Sequence, residues 1–322
     1  MRIERDEEVR RAYARDASGL EMVPEGVARP ESGDEVAELL RETAADRVPV
    51  TAAGSQTSTT GASIADRGLL LSLRAMEHIV DVDTASRTAR VQPGVRLGEL
   101  KRVLEPLGLL FPPDPTSEED ATVGGAIACN ASGARSLRWG ATRPHVRALR
   151  VVNAAGELLD LRRPALEKNT VGYAPVHDPV DWFVGSEGTL GIVIEAELAR
   201  APLPERVLGL ALPFASEADA LAFIAAARDE LARPRGPLQP QCLEFFDERA
   251  AAIARDAGGD QRWAAGAGAV VYLEQDFHEG EEDTALDGWL ALAERHGAGT
   301  ADAQAYDSAA ALREARRVDK KQ

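Results

Sequence analysis

Between the apolar run Val48–Thr51 and the next apolar run, Leu69–Leu73, lie twelve residues, Ala52 to Ser63 (AAGSQTSTTGAS), with no charge and nothing larger than glutamine. A stretch of this kind either stays a flexible Ser/Thr linker or wraps closely around something. In the second case small residues let the backbone approach a ligand, glycines permit positive φ, and successive N–H groups form an anion-binding concavity to which the hydroxyls add donors. The flanking runs read as short strands, so the loop joins strand to strand and does not open onto a long helix. That excludes two familiar phosphate loops. Six residues separate Gly54 from Gly61 and no lysine follows, against the GxxxxGK[ST] of a Walker loop, and there is no GxGxxG leading into a helix. An anion held here is held by backbone amides and hydroxyls.

A second small-residue stretch, Ala121 to Gly133 (ATVGGAIACNASG), leaves space above its backbone for either a closely packed helix or a ligand. It leads into a local charge anomaly. The protein carries a net charge of −16, yet Thr122 to Arg150 holds five arginines and no acid. Such a run is a solvated face or the counter-charge of a bound anion. The overall acidity argues against a nucleic-acid surface or an anionic membrane face. The N-terminus MRIERDEEVRR has no apolar signal region, and no apolar run approaches the ~18 residues of a span, so the expected location is the cytoplasm. Two distant cysteines, Cys129 and Cys242, suit a reducing compartment. The five histidines, His78, His145, His177, His278 and His296, show no ligand spacing, and no metal site is expected from them.

With 322 residues, 44% of them hydrophobic, roughly two domains are expected. The periodicity predicts helices over residues 1–19, Val27–Arg47 (capped at Ser32 or Asp34) and Leu97–Leu107, the last with Leu97, Leu100, Val103, Leu104 and Leu107 on one stripe. Strands are expected on either side of residues 84–87, and a hairpin over Ala148–Leu161. Pro112 to Pro115 must be extended. The tight turn Gly185–Gly191, with Glu187 at its tip, precedes a strand whose alternation puts Ile192, Ile194, Ala196 and Leu198 on one face. After Pro202-Leu203-Pro204 the composition shifts. Strands at Glu205–Phe214, Gln241–Phe246 and Ala267–Glu274 alternate with helices at Ser216–Ala232, Arg249–Ala257 and Glu281–Arg295, an α+β sandwich of antiparallel sheet and helices, before a polar terminal helix.

In order, AGSQTSTTG (Ala53–Gly61), QPGV (Gln92–Val95), PPDP (Pro112–Pro115), ATVGGAIACNASG, WGAT (Trp139–Thr142), KNTVGY (Lys168–Tyr173) and VGSEGTLGIV (Val184–Val193) span about 140 residues. Together they resemble the FAD-binding flavoproteins of the p-cresol methylhydroxylase (PCMH) or vanillyl-alcohol-oxidase type. The branch they resemble is the D-2-hydroxyacid dehydrogenases: D-lactate dehydrogenase, the glycolate oxidase FAD subunit and D-2-hydroxyglutarate dehydrogenase. The resemblance implies an α+β fold, with a two-subdomain PCMH-type FAD-binding domain over residues 1–204 and a partial α+β cap, or substrate, domain with an antiparallel sheet over 205–322.

It also implies FAD as cofactor, with Gly54, Ser55, Gln56, Thr57, Ser58 and Gly61 on its pyrophosphate. Pro113, Asp114, Thr122, Gly124, Gly125, Asn130, Ser132 and Gly133 line the flavin, and Glu187, Gly188, Ile192 and Val193 lie toward the ribose and adenine. Against the family's RGGGTSLSG loop, Ala53 stands for arginine and Ser55 and Gln56 for glycines, which restricts φ. Thr57 stands where covalently flavinylated relatives have histidine, so the FAD is expected to be non-covalent. The implied chemistry is hydride transfer from C2 of a small 2-hydroxyacid to flavin N5, with Arg313 resembling the arginine on the substrate carboxylate. The electron acceptor is then a quinone, an electron-transfer protein or an Fe–S subunit. Relatives carry a GHxGDGNxH metal-and-base motif after the cap. This sequence does not reach it, so the resemblance implies truncation, and a divalent metal only if that motif exists beyond this chain. The alternative is a flavin-binding or electron-transfer subunit without its own turnover.

Overall fold

In the computed structural model the described residues are 1–164, 178–233, 236–256 and 266–307. Lys168–Tyr173, His177, Arg313 and the expected terminal helix lie outside them. The chain divides into two compact units, one formed by residues 1–132 and 141–202, the other by 133–140 and 203–322.

The first unit begins with strand β1 (Ile3–Glu4) and helix α1 (Glu7–Ala12), capped by Asp6, whose Oδ1 accepts from the amides of Glu8 and Val9. The helix expected over residues 1–19 is therefore only six residues long. It buries none of them, so nothing offsets the cost of extending it. Strand β2 (Gly26–Ala28) leads into α2 (Gly33–Asp46), where Ser32 Oγ accepts from Glu35 N and Val36, Leu39, Leu40 and Thr43 are buried. Strands β3 (Val50–Ala53) and β4 (Leu69–Ser72) follow. The sheet order is β1-β2-β4-β3, with β4 parallel to both β2 and β3 and β1 antiparallel to β2. Two parallel neighbours joined by residues 54–68 need a crossover, and here the crossover is loop, not helix.

Strands β5 (Ile79–Asp83) and β6 (Thr88–Val91) form the expected hairpin. In α3 (Leu97–Leu104) Leu97, Leu100 and Leu104 are buried, whereas Val103 and Leu107 are exposed. At about 100° per residue Val103 falls well off the stripe of the other three, and Pro106 tightens the end into a 3₁₀ turn that carries Leu107 away. After β7 (Leu109–Leu110) and α4 (Val123–Ala128), helix α5 (Ser136–Trp139) belongs to the second unit. Then come β8 (Val146–Val152), β9 (Leu158–Arg162), α6 (Pro179–Phe183), β10 (Ile192–Ala199) and β11 (Ala201–Pro202), which pairs with β7. The antiparallel sheet runs β5-β6-β10-β8-β9.

The four alternating residues of β10 are all buried but do not share one face's core. Ile192 and Ile194 pack with α2 and β4, while Ala196 and Leu198 pack with α3 and α4, as does Val193. A register shift between Val193 and Glu195 exchanges the two faces, because one extra residue in a period-two strand turns every later side chain over.

The second unit has β12 (Arg206–Phe214), α7 (Glu217–Leu231), β13 (Pro240–Asp247), α8 (Glu248–Asp256), β14 (Ala269–Phe277), α9 (Glu282–Arg295) and β15 (Gln304–Tyr306). Its sheet, β13-β14-β12-β15, is wholly antiparallel. Phe214, Phe223 and Trp289 fill one side, and Trp289 Nε1 donates to Gln275 Oε1 at 2.9 Å. Ser216 caps α7 as the sequence indicates, its Oγ accepting from Asp219 N.

Candidate functional site

In the first unit three stretches of small residues converge on a cleft of about 300 Å³, the lower end of the usual range for ligand pockets. The first is the loop leaving β3, residues 52–60 with Ala62 and Ser63; the second surrounds α4; the third is the turn Ser186–Gly188 with the start of β10. Close approach explains the glycines. A Cβ at Gly54 would lie 2.2 Å from Thr122 Oγ1, and one at Gly124 would lie 2.6 Å from Pro93 Cβ. Gly125 is different: the nearest atom to an added Cβ is its own cap, Thr122 Oγ1, at 3.2 Å, and beyond that is open cleft. The third stretch hangs from the end of α4, with Gly185 N donating to Ile127 O at 2.9 Å and Glu187 N to Ala128 O at 3.0 Å. Ala121–Gly133 itself contains α4, and its small residues wall the cleft.

The backbone amides show where an anion fits. At α4 they are already used: Val123 N donates to Val95 O, Gly124 N to Pro93 O, Gly125 N to Thr122 Oγ1 and Ala126 N to Thr122 O. In the loop they are not. Among the described residues, the amides of Gln56, Thr57, Ser58 and Thr59 donate to no protein acceptor. Buried backbone donors are seldom left unspent; these four, half-buried or exposed at the cleft, are open to an acceptor from outside the chain, whether water or a ligand. Gln56 sits at φ 56°, the left-handed region, which turns successive N–H groups toward a common centre. Glu187 (φ 50°) and Gly188 (φ 77°) make a second such turn.

Among the described residues Glu187 is the one lining group with a formal charge, and no lysine, arginine or histidine lines the cleft. Thr60 Oγ1 lies 3.5 Å from Glu187 Oε1. The walls of the cleft and then the Glu187 carboxylate push the Cys129 thiol up, with a Ser58 hydrogen bond opposing them, so at neutral pH it is protonated. The arginine run is spent elsewhere. Arg135 pairs with Glu274 at 2.8 Å, Arg138 with Asp276 and Arg150 with Asp160 at 3.0 Å. Arg143 donates to the carbonyls of Asp181 and Val184. These arginines hold the chain's own acids and carbonyls.

Of the residues singled out by sequence, Gly54, Ser55, Gln56, Thr57, Ser58, Thr122, Gly124, Gly125, Glu187, Gly188, Ile192 and Val193 line the cleft together. Gly61, Pro113, Asp114, Asn130, Ser132 and Gly133 do not. Gly61 supplies a turn at φ 78° beside Leu20. Pro113 and Asp114 are buried in the extended segment. Asn130 Oδ1 accepts from Arg143 N at 2.9 Å, and Gly133 N donates to Ser136 Oγ at the start of α5, in the second unit. Phe183, Ser117 and Leu73 also line the cleft. No local signal marks Phe183 or Leu73, which are carried there by α6 and by the end of β4. Among the described residues no three His, Cys, Asp or Glu side chains gather as a metal site, and no helix is long and apolar enough to cross a membrane.

Comparison with known proteins places this cleft in context. Residues 24–162 match a family model described as an FAD binding domain. The chain is 36% identical over 238 residues to D-lactate dehydrogenase of Anaerostipes hadrus, covering 71% of this chain and 47% of that protein. It is 34% identical over 316 residues to glycolate oxidase subunit GlcD of Bacillus subtilis (strain 168), covering 96% and 64%. It is 38% identical over 230 residues to D-2-hydroxyglutarate dehydrogenase of Xanthomonas citri pv. viticola, covering 70% and 46%. The chain thus spans about half to two thirds of the length of these relatives. A solved structure of alkyldihydroxyacetonephosphate synthase superposes with a TM-score of 0.77 at 19% identity, over 98% of this chain and 60% of that one, which shows a shared fold.

Proposed function

We propose, from the premise that this chain carries a PCMH-type FAD-binding domain, that it is the flavin-bearing part of an oxidoreductase acting on the CH–OH group of a small 2-hydroxyacid. The observation that carries the reading is the run of unspent amides at Gln56–Thr59 in a cleft without cationic side chains. A pyrophosphate supplies the acceptors those N–H groups lack, and the hydroxyls of Thr57 and Ser58 add donors beside them. Gly54 lets the loop close on Thr122 at the start of α4, Gly124 lets α4 close on Pro93, and the open space over Gly125 admits a flat ring. The Glu187 carboxylate, set in a left-handed turn, is an acceptor for hydroxyl groups of a ribose. Thr57 offers no imidazole for a covalent link, so the FAD is held non-covalently.

When bound, FAD supplies the two-electron acceptor for the hydride that leaves the hydroxyl-bearing carbon. The chain's own contribution within the cleft is to bind and orient. The Cys129 thiol is raised and protonated, so it is not a base at neutral pH. The proton of the substrate hydroxyl is proposed to be taken by a group outside this cleft. Arg313 is proposed to pair with the substrate carboxylate.

The relatives are named for D-lactate, D-2-hydroxyglutarate and glycolate, and these define the substrate class to be tested. One of them is named as a subunit, which favours a second reading, a flavin-bearing subunit completed by another polypeptide; quinone, electron-transfer protein or Fe–S subunit would then take the electrons. The test is the absorption spectrum of the purified full chain, followed by anaerobic addition of each hydroxyacid. Flavin bands that bleach with one of the three support the first reading. Flavin bands that persist with all three support the second. A colourless chain that takes up no FAD contradicts both.

A further inference from the structure

The loop's one large side chain stands where conformational cost is highest. Gln56 occupies the left-handed region at φ 56°, which a residue with a Cβ adopts only when something holds it there. Its carboxamide does so. Nε2 donates to Tyr13 O at 2.9 Å and to Ser63 O at 3.1 Å, so one group closes the loop on itself and ties it to a segment 43 residues earlier. The same segment grips the loop twice more. Ser63 Oγ donates to Asp16 Oδ2 at 3.2 Å, and Leu20 Cδ1 lies against the Gly61 position. Asp16 is itself fixed by the Ser18 amide on Oδ1, at 2.9 Å.

From these contacts we infer that Gln56 is a positioning residue for the cofactor loop: its carboxamide braces the loop against Tyr13–Leu20 and so keeps the amides of Gln56–Thr59 aimed at one acceptor. The segment that receives the brace, Tyr13–Leu20, lies outside the matched family domain, which begins at residue 24. It does with side-chain hydrogen bonds what a glycine at this position does by conformational freedom, and it leaves the loop less mobile. The inference rests on the reading of the cleft as the FAD site.

The test compares the wild-type full chain with Gln56→Glu, Gln56→Ala and Gln56→Gly. Glutamate has the same shape but no N–H, and its carboxylate would face two carbonyl oxygens. Alanine keeps the left-handed strain without either bond. Glycine removes the strain and the brace together, and is the variant expected to fold unchanged. FAD dissociation constant, FAD release rate and the thermal midpoint of the FAD-free chain are measured for each. Gln56→Glu and Gln56→Ala should raise the dissociation constant about tenfold, the scale of one or two lost hydrogen bonds. Gln56→Gly should raise it less, with faster release and an FAD-free midpoint equal to that of wild type. Dissociation constants unchanged across all three variants, or lower FAD-free midpoints with unchanged dissociation constants, overturn the inference, since they make the bonds merely structural. A wild-type chain that takes up no FAD removes the site reading first. A wild type that binds FAD beside variants that bind it equally removes only this inference.

Discussion

The cofactor loop and the polar cluster of the second unit use hydrogen-bonding groups in opposite ways. In the loop, four consecutive amides donate to no protein acceptor among the described residues, and charge is almost absent from the surrounding walls. In the second unit a carboxylate is taken fully out of water and satisfied on the spot: Glu274 Oε2 accepts from Arg135 Nε at 2.8 Å, Oε1 from Tyr272 OH at 2.8 Å, and the Gln241 amide lies 3.5 Å away. A group with its partners built in serves the fold, whereas a group without a protein partner is open to water or a ligand. The arginine run makes the same point: in sequence it reads as a solvated face or an anion's counter-charge, and Arg135, Arg138 and Arg150 pair with the chain's own acids.

Four substitutions sharpen or break this contrast. The largest effect on binding is expected for Gly125→Trp, which fills the cleft where only Thr122 Oγ1 is near. FAD uptake should vanish while the denaturant midpoint moves little, and retained flavin in a spectrum of the purified variant would show that the small residues serve packing alone. The largest effect on stability is expected for Glu274→Ala, which leaves Arg135 without its carboxylate. Breaking a buried pair from one side costs about 3–5 kcal/mol, read as a lower denaturant midpoint for the second unit. Thr122→Ala removes the cap of α4 and should cost about 1 kcal/mol of stability. Ser216→Ala at α7 should cost a similar amount, but only the Thr122 variant should also weaken FAD binding in a fluorescence titration.

The smallest effect is a pH limb. Asp181 is lowered from its ordinary 3.8, first by its hydrogen bond to Arg163 and further by Arg143. A carboxyl held lower in the folded state than in the unfolded chain adds stability above the unfolded value, and loses it as pH falls through the folded one. Asp181→Asn should therefore be less stable than wild type near neutrality, where the carboxylate contributes fully, and the difference should shrink as pH falls below about 4.

The sequence shows the cleft well because its signals are local. A charge-free run of small residues between two apolar runs narrows to a linker or a tight loop on a strand end, and Thr122 before Val-Gly-Gly is a legible cap. Features that depend on partners distant in the chain are not legible. Nothing in Gln56 announces Tyr13, and nothing in the even-numbered alternation of β10 announces the shift that sends Ile194 and Ala196 into different cores. Val103 and Leu107 fit a helical stripe on apolar character alone and are exposed because angle and a proline decide otherwise. Asn130 and Gly133 match flavin-lining positions by resemblance; here Asn130 Oδ1 accepts from Arg143 N and Gly133 N donates to Ser136 Oγ, contacts that no local pattern announces.

The central claim is that a pyrophosphate is accepted by uncharged donors, and its salt dependence tests this most directly. Between exposed groups, salt screens charge pairs strongly, whereas hydrogen bonds from backbone amides in a cleft respond little. Titrating the FAD-free full chain with FAD at low and high ionic strength should give one FAD per chain, released intact on denaturation, with a dissociation constant nearly independent of salt. No uptake of FAD, or an affinity that collapses as salt rises in the manner of an arginine clamp, would contradict it.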